Sequence, residues 1–141
     1  MVEVEIVGLR GAGAGTSAND ARLPSRKEVR RLARSAAACA RVSEGHLAIE
    51  FADERRIAQL NREHRGRDVG TDVLSFPVDG AEPLGESLPR EIGDVVICAS
   101  LCGDVREAIV HGVLHLVGYD HEGDEGEMLA LQRSILKEVT S

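Results

Sequence analysis

Hydrophobic and polar positions follow two different periods along this chain, and the switches between them predict eight elements. Residues 2–7 alternate, with Val2, Val4 and Ile6 on one face and Glu3 and Glu5 on the other, as a half-buried strand does. Ser25 followed three residues later by Glu28 is a capping box, and Val29, Leu32, Ala33, Ala36 and Ala40 then recur at helical spacing. Residues 46–51 alternate again, with Leu47, Ile49 and Phe51 on one side. Asp53 caps a short helix to about Asn61, with Ile57 and Leu60 facing in. Residues 73–78 read as a strand whose Pro77 marks a sheet edge or the strand's end, and residues 92–98 as a strand buried on both faces at Val95, Val96 and Ile97. Asp104 caps a helix to about Val117, ended by Gly118. A last helix spans about 124–139, with Met128, Leu131, Ile135, Leu136 and Val139 inward.

The order β-α-β-α-β-β-α-α indicates an α+β fold: one domain over residues 1–141, with a mixed sheet of about four strands and helices packed on it. Between the elements lie a glycine-rich segment (8–20), a polar loop (62–72), an acidic Pro/Gly loop (79–91) and an acidic turn (119–124). The glycine-rich segment lacks the Lys-Ser/Thr ending of a phosphate loop and the spacing of a dinucleotide fingerprint, so it reads as a connection.

Composition narrows the function classes. Aromatic residues are only 2%, which excludes RNA recognition by rows of stacking rings on a sheet. No run of about 20 apolar residues offers a membrane span, and the acidic, alternating N-terminus is not a signal peptide. Three cysteines are an odd number without a secretory signal, which fits reduced thiols and a cytoplasmic location. The net charge of −7 is uneven: residues 1–67 carry a net +4 and residues 68–141 a net −11. General nucleic-acid coating is excluded, while a local phosphate-binding face in the basic half is not.

The chemistry concentrates in the run HGVLHLVGYDH. His111 and His115 are four apart on a helix, so their rings project from one face, one turn apart. Gly118 can turn the chain back and bring His121 to the same point. Three neutral imidazoles suit one Zn²⁺ per chain and leave a fourth position for water, the pattern of a catalytic site. Affinity is expected to fall below about pH 6, because imidazole ligands must be neutral. The spacing matches the H-E-x-x-H-x-x-G-x-x-H pattern of metzincin proteases except at one position, where Gly112 replaces the glutamate base. A proton acceptor must then come from elsewhere, with Asp120, Glu122 and Asp94 as candidates; Asp120 could equally orient a histidine. Cys98 and Cys102 could supply thiolates, although Cys98 lies in an apolar strand and reads as a buried thiol.

HGVLHLVGYDH, the upstream run LNREHRGRD followed by TDVLSFP, and GDVVI together resemble the YbeY family of bacterial endoribonucleases, over nearly the whole chain. The resemblance implies a zincin-like site with His111, His115 and His121 as metal ligands and Arg65 as the functional arginine. It further implies a single-strand-specific endoribonuclease that matures the 3′ end of small-subunit ribosomal RNA and serves ribosome quality control. Ribosomal RNA, the small subunit and its assembly factors would be the partners. The segment between Cys98 and His111 is shorter than the family's, and His64 stands where an aromatic residue is usual.

A guanidinium can bind two phosphate oxygens, so Arg65 suits this chemistry independently, and its side chain is expected in the same cleft as the histidines. The alternatives are a metal-dependent hydrolase of peptides or small esters, and a non-catalytic ribosome-assembly factor with a structural zinc. The missing glutamate opposes the first, and three ligands instead of four oppose the second.

Overall fold

A computed structural model describes residues 1–9, 23–66, 71–82, 89–120 and 126–140, without the side chains of Arg65 and Thr140. Strands β1 (Val2–Val7), β2 (Gly45–Phe51), β3 (Val73–Pro77) and β4 (Glu91–Ile97) form one sheet in the order β1-β2-β4-β3. β1, β2 and β4 run parallel, and β3 pairs antiparallel to β4 at the edge, where Pro77 ends the strand. Among the described residues the α-helices are α1 (Arg26–Ala38), α2 (Glu54–Arg65), α3 (Val105–Leu116) and α4 (Glu127–Thr140), and a short 3-10 helix spans Ala99–Leu101. The element order and the mixed four-stranded α+β architecture are those expected from the periodicity.

Strand alternation sorts the sheet into two unlike faces. Val4, Ile6, Leu47, Ile49, Val95 and Ile97 point to one side and make the main core with α1, α3 and α4. Among the described residues the other side is covered only in part, by α2, through a smaller cluster of Ile57, Leu60, Leu74, Val96 and Cys98. That is why Val95-Val96-Ile97 is buried throughout: successive residues enter different cores.

Local signals set the helix starts. The Ser25 hydroxyl accepts from the Glu28 N–H at 3.1 Å, and the Asp53 carboxylate accepts from the Arg56 N–H at 2.7 Å. Asp104 caps α3 by accepting from the N–H groups of Arg106 and Glu107. Glu28 of α1 also pairs with Arg106 of α3, tying the two helix starts together. α2 corrects the sequence reading. It runs to Arg65 instead of stopping near Asn61, because Gly66 supplies the left-handed cap (φ 71°) and its N–H reaches back to the Arg62 carbonyl. Arg65 is therefore the last helical residue, not a loop residue.

Candidate metal centre

α3 is buried on nearly all sides. Its positions that are not buried are Arg106, Glu107, His111 and His115, and the last three form a single stripe at four-residue spacing. The stripe looks outward past the edge strand β3. Asp72, Val73, Gly103, Asp104, Glu107, His111 and Gln132 surround a cleft of about 470 Å³, and His115 lines a second cleft beside Asp79 and Gly80.

The two rings meet. His115 Nε2 and His111 Nε2 are 3.1 Å apart, with the ring planes near perpendicular at 77°. Two nitrogens bound ~2.0–2.1 Å from one tetrahedral zinc would lie about 3.3–3.4 Å apart. The observed separation is within a few tenths of an ångström of that edge, so this pair fits the ion. Among the described residues no group of three or more His, Cys, Asp or Glu gathers around a common point. His121, the third expected ligand, and Glu122 lie outside the described residues.

The helix ends in the glycine turn expected from the sequence. The Gly118 N–H donates to the His115 carbonyl and the Tyr119 N–H to the Leu114 carbonyl, at 3.1 and 3.0 Å. That pair of bonds is the Schellman turn, and Gly118 takes the positive φ it demands, 102°. The Tyr119 hydroxyl then donates to the Cys39 carbonyl at the end of α1, at 3.0 Å. The chain departing toward residue 121 is thus anchored immediately after the turn.

Gly112 has a structural reason. A Cβ at this position would lie 2.5 Å from Val95 Cγ1 and 3.2 Å from Val73 Cγ2. The Ser75 hydroxyl donates to the Gly112 carbonyl at 2.9 Å. Position 112 faces the sheet where α3 comes closest to it, so it has no room for the metzincin glutamate.

Other candidates are placed elsewhere. Asp94 lies on the partly covered sheet face, in a groove with Glu5, Glu50, Arg56 and Phe76, and not beside the histidines. Burial, then the neighbouring Glu91, raise its carboxyl above the ordinary value. Burial pushes the Cys102 thiol up to about 12, helped by Asp72, so it is no thiolate at neutral pH; Cys98 is buried as expected. His64 packs against Phe76 with ring centroids 4.8 Å apart and planes tilted at 60°. The Arg65 side chain lies outside what is described, and Asp72 is on the lining of the His111 cleft.

Two residues at the site escape the sequence reading. Gln132 is buried, accepts at Oε1 from His111 Nδ1 at 3.0 Å and donates from Nε2 to Glu107 at 3.0 Å. Glu107 is four before His111, so helical spacing could have found it; Gln132 comes from α4 and had only its polar interruption of an apolar stripe as a signal.

Among the described residues no helix is long and apolar enough to cross a membrane. The sequence profile of the family described as Endoribonuclease YbeY matches residues 17–140. A protein of Stenotrophomonas maltophilia named Endoribonuclease YbeY is 44% identical over 123 residues, covering 74% of each chain. One of the same name from Staphylococcus carnosus is 37% identical over 109 residues, covering 66% of this chain and 71% of that one. The fold is similar to that of a Thermotoga maritima protein solved in solution, at a TM-score of 0.53 and 21% identity, covering 99% of this chain and 89% of that one. With a profile match over residues 17–140, this chain belongs to the YbeY family of endoribonucleases.

Proposed function

We propose that this chain is a zinc-dependent endoribonuclease that cleaves single-stranded RNA. Its role would be maturation of the 3′ end of small-subunit ribosomal RNA and ribosome quality control, in the cytoplasm, beside the small subunit and its assembly factors. The observation that carries the reading is the convergence of His111 Nε2 and His115 Nε2 at 3.1 Å on the half-buried stripe of α3. His111, His115 and His121 would hold the ion, with Gly118 turning the chain to bring in the third. Bound zinc would supply Lewis acidity toward a phosphoryl oxygen or the attacking water. Arg65 would grip two phosphate oxygens through its planar fork and stabilise the charge that develops on them. Tyr119 would hold the turn after Gly118 against α1, keeping His121 in reach. The wedge at Gly112 disfavours the peptide-hydrolase alternative, because the protease base has no place at that position.

The test combines zinc content with cleavage of single-stranded RNA. His115→Ala should lose both while keeping its far-ultraviolet dichroism. Arg65→Glu should keep zinc and lose cleavage, and Arg65→Lys should recover cleavage only in part, since the charge remains but the fork is gone. Full cleavage by Arg65→Glu would remove the arginine's role. Zinc-loaded wild type that cleaves peptides and not RNA would restore the rival reading.

A further inference from the structure

The hydrogen bonds around Gln132 fix more than the position of a ring. Gln132 is one of two buried polar residues among those described, and its amide sits between Glu107 and His111. A carboxylate only accepts hydrogen bonds, so the amide nitrogen of Gln132 must be the atom facing Glu107. The amide oxygen is then the atom facing His111 Nδ1, and an oxygen there can only accept. His111 must therefore carry its proton on Nδ1, which leaves a lone pair on Nε2, the nitrogen aimed at His115.

From this chain of donors and acceptors we infer that Gln132, oriented by Glu107, is a positioning residue that locks His111 in the tautomer able to bind metal. The inference rests on the reading of His111 as a zinc ligand. It has a second consequence in the metal-free protein. With a lone pair on His111 Nε2, the 3.1 Å contact requires His115 Nε2–H to be the donor. His115 is then in the opposite tautomer and must exchange it on metal binding, whereas His111 is ready beforehand. The two ligands differ because only His111 has the Gln132–Glu107 pair behind it.

The decisive measurement is the imidazole nitrogen correlation spectrum of the metal-free protein labelled with ¹⁵N-histidine, paired with zinc affinity by chelator competition. In wild type, His111 should show Nδ1 protonated and Nε2 bare. Gln132→Met keeps the volume and removes the amide, so His111 should become a mixture of tautomers and zinc affinity should fall about 10- to 100-fold. Glu107→Gln is exposed and conserves shape, but lets the Gln132 amide turn either way, so it should also mix the tautomers. The swap Glu107→Gln with Gln132→Glu rebuilds the same polarity, a nitrogen donating to an oxygen and an oxygen accepting from Nδ1. It should restore both the single tautomer and the affinity, which a side chain serving only as packing would not do.

An Nε2-protonated His111 in metal-free wild type would overturn the inference. So would wild-type tautomer and affinity in both Glu107→Gln and Gln132→Met; if the latter fails to fold, Glu107→Gln decides alone. Should wild type bind no zinc, the metal reading fails, while the tautomer spectrum still decides the role of Gln132.

Discussion

Gly112→Ala is a substitution that helix propensity says should stabilise and that packing says should not. Alanine gains about 1 kcal/mol over glycine in a helix interior. Here the added Cβ would lie 2.5 Å from Val95 Cγ1, against an ordinary carbon contact of about 3.5–4.0 Å. Val95 offers no flexible end to move aside: it is β-branched, fully buried and held in β4 between two paired strands. α3 must instead lift by about 1 Å, an overpacking that costs about 1–3 kcal/mol. Lifting also stretches the bond from the Ser75 hydroxyl to the Gly112 carbonyl, worth about 1 kcal/mol. The balance is a net loss of about 2 kcal/mol, or about 8 °C in melting temperature for a domain of this size.

The assay is urea unfolding followed by helical dichroism, for Gly112→Ala, Val95→Ala and the double mutant. Val95→Ala alone should destabilise by opening a cavity. In that background the new methyl has space, so Gly112→Ala should become neutral or stabilising, giving a coupling of about 1–3 kcal/mol. A single Gly112→Ala mutant more stable than wild type would refute the wedge. It would also reopen position 112 to the glutamate of the protease pattern.

Gly118→Val puts a β-branched side chain at a φ of 102°, so the Schellman turn should distort and zinc affinity should fall in a chelator competition although no ligand changes. Unchanged affinity would mean that the turn does not deliver the third ligand. Asp94→Asn tests the other face of the sheet. The Asp94 carboxyl is raised by burial and then by Glu91, so its charged form destabilises the folded state. That penalty sets in as pH rises from the unfolded value through the folded one. The asparagine variant should thus be slightly more stable at pH 7, an effect weakened by solvent screening, and should lose its advantage near pH 3 in urea titrations at the two pH values.

Among the described residues every strand and α-helix was legible from its period, though the short 3-10 helix Ala99–Leu101 was not, and the caps at Ser25, Asp53 and Asp104 were legible from residue type, because these depend on neighbours within one turn. The end of α2 was misread because Arg62 to Arg65 are polar throughout, and polarity alone does not distinguish a solvated helical turn from a loop. Gly66 was the better signal. The stripe of α1 slipped at its end for a related reason: Ala37 is buried, and Ala40 lies beyond the helix. At the site, the meeting of His111 and His115 followed from spacing, and the positive φ of Gly118 from the need to turn. Gln132 and the misplaced Asp94 could not be read, since both depend on which elements face each other across the fold.

α3 carries its histidines where neither a core role nor a solubility role would put them. A histidine satisfied in a core would be buried, and a histidine serving solubility would sit among other charged residues on a broad exposed face. His111 and His115 do neither. They are half-buried on a stripe one residue wide, on a helix otherwise enclosed by the sheet, α1 and α4. The same close packing that makes Gly112 necessary holds the helix rigid against β3 and β4, and the stripe inherits that rigidity. Gln132 then fixes one ring from behind. Two imidazoles brought to 3.1 Å on an immobile support would form a preorganised pair of nitrogen ligands for the proposed ion, and loss of the support should then cost metal affinity as surely as loss of a ligand.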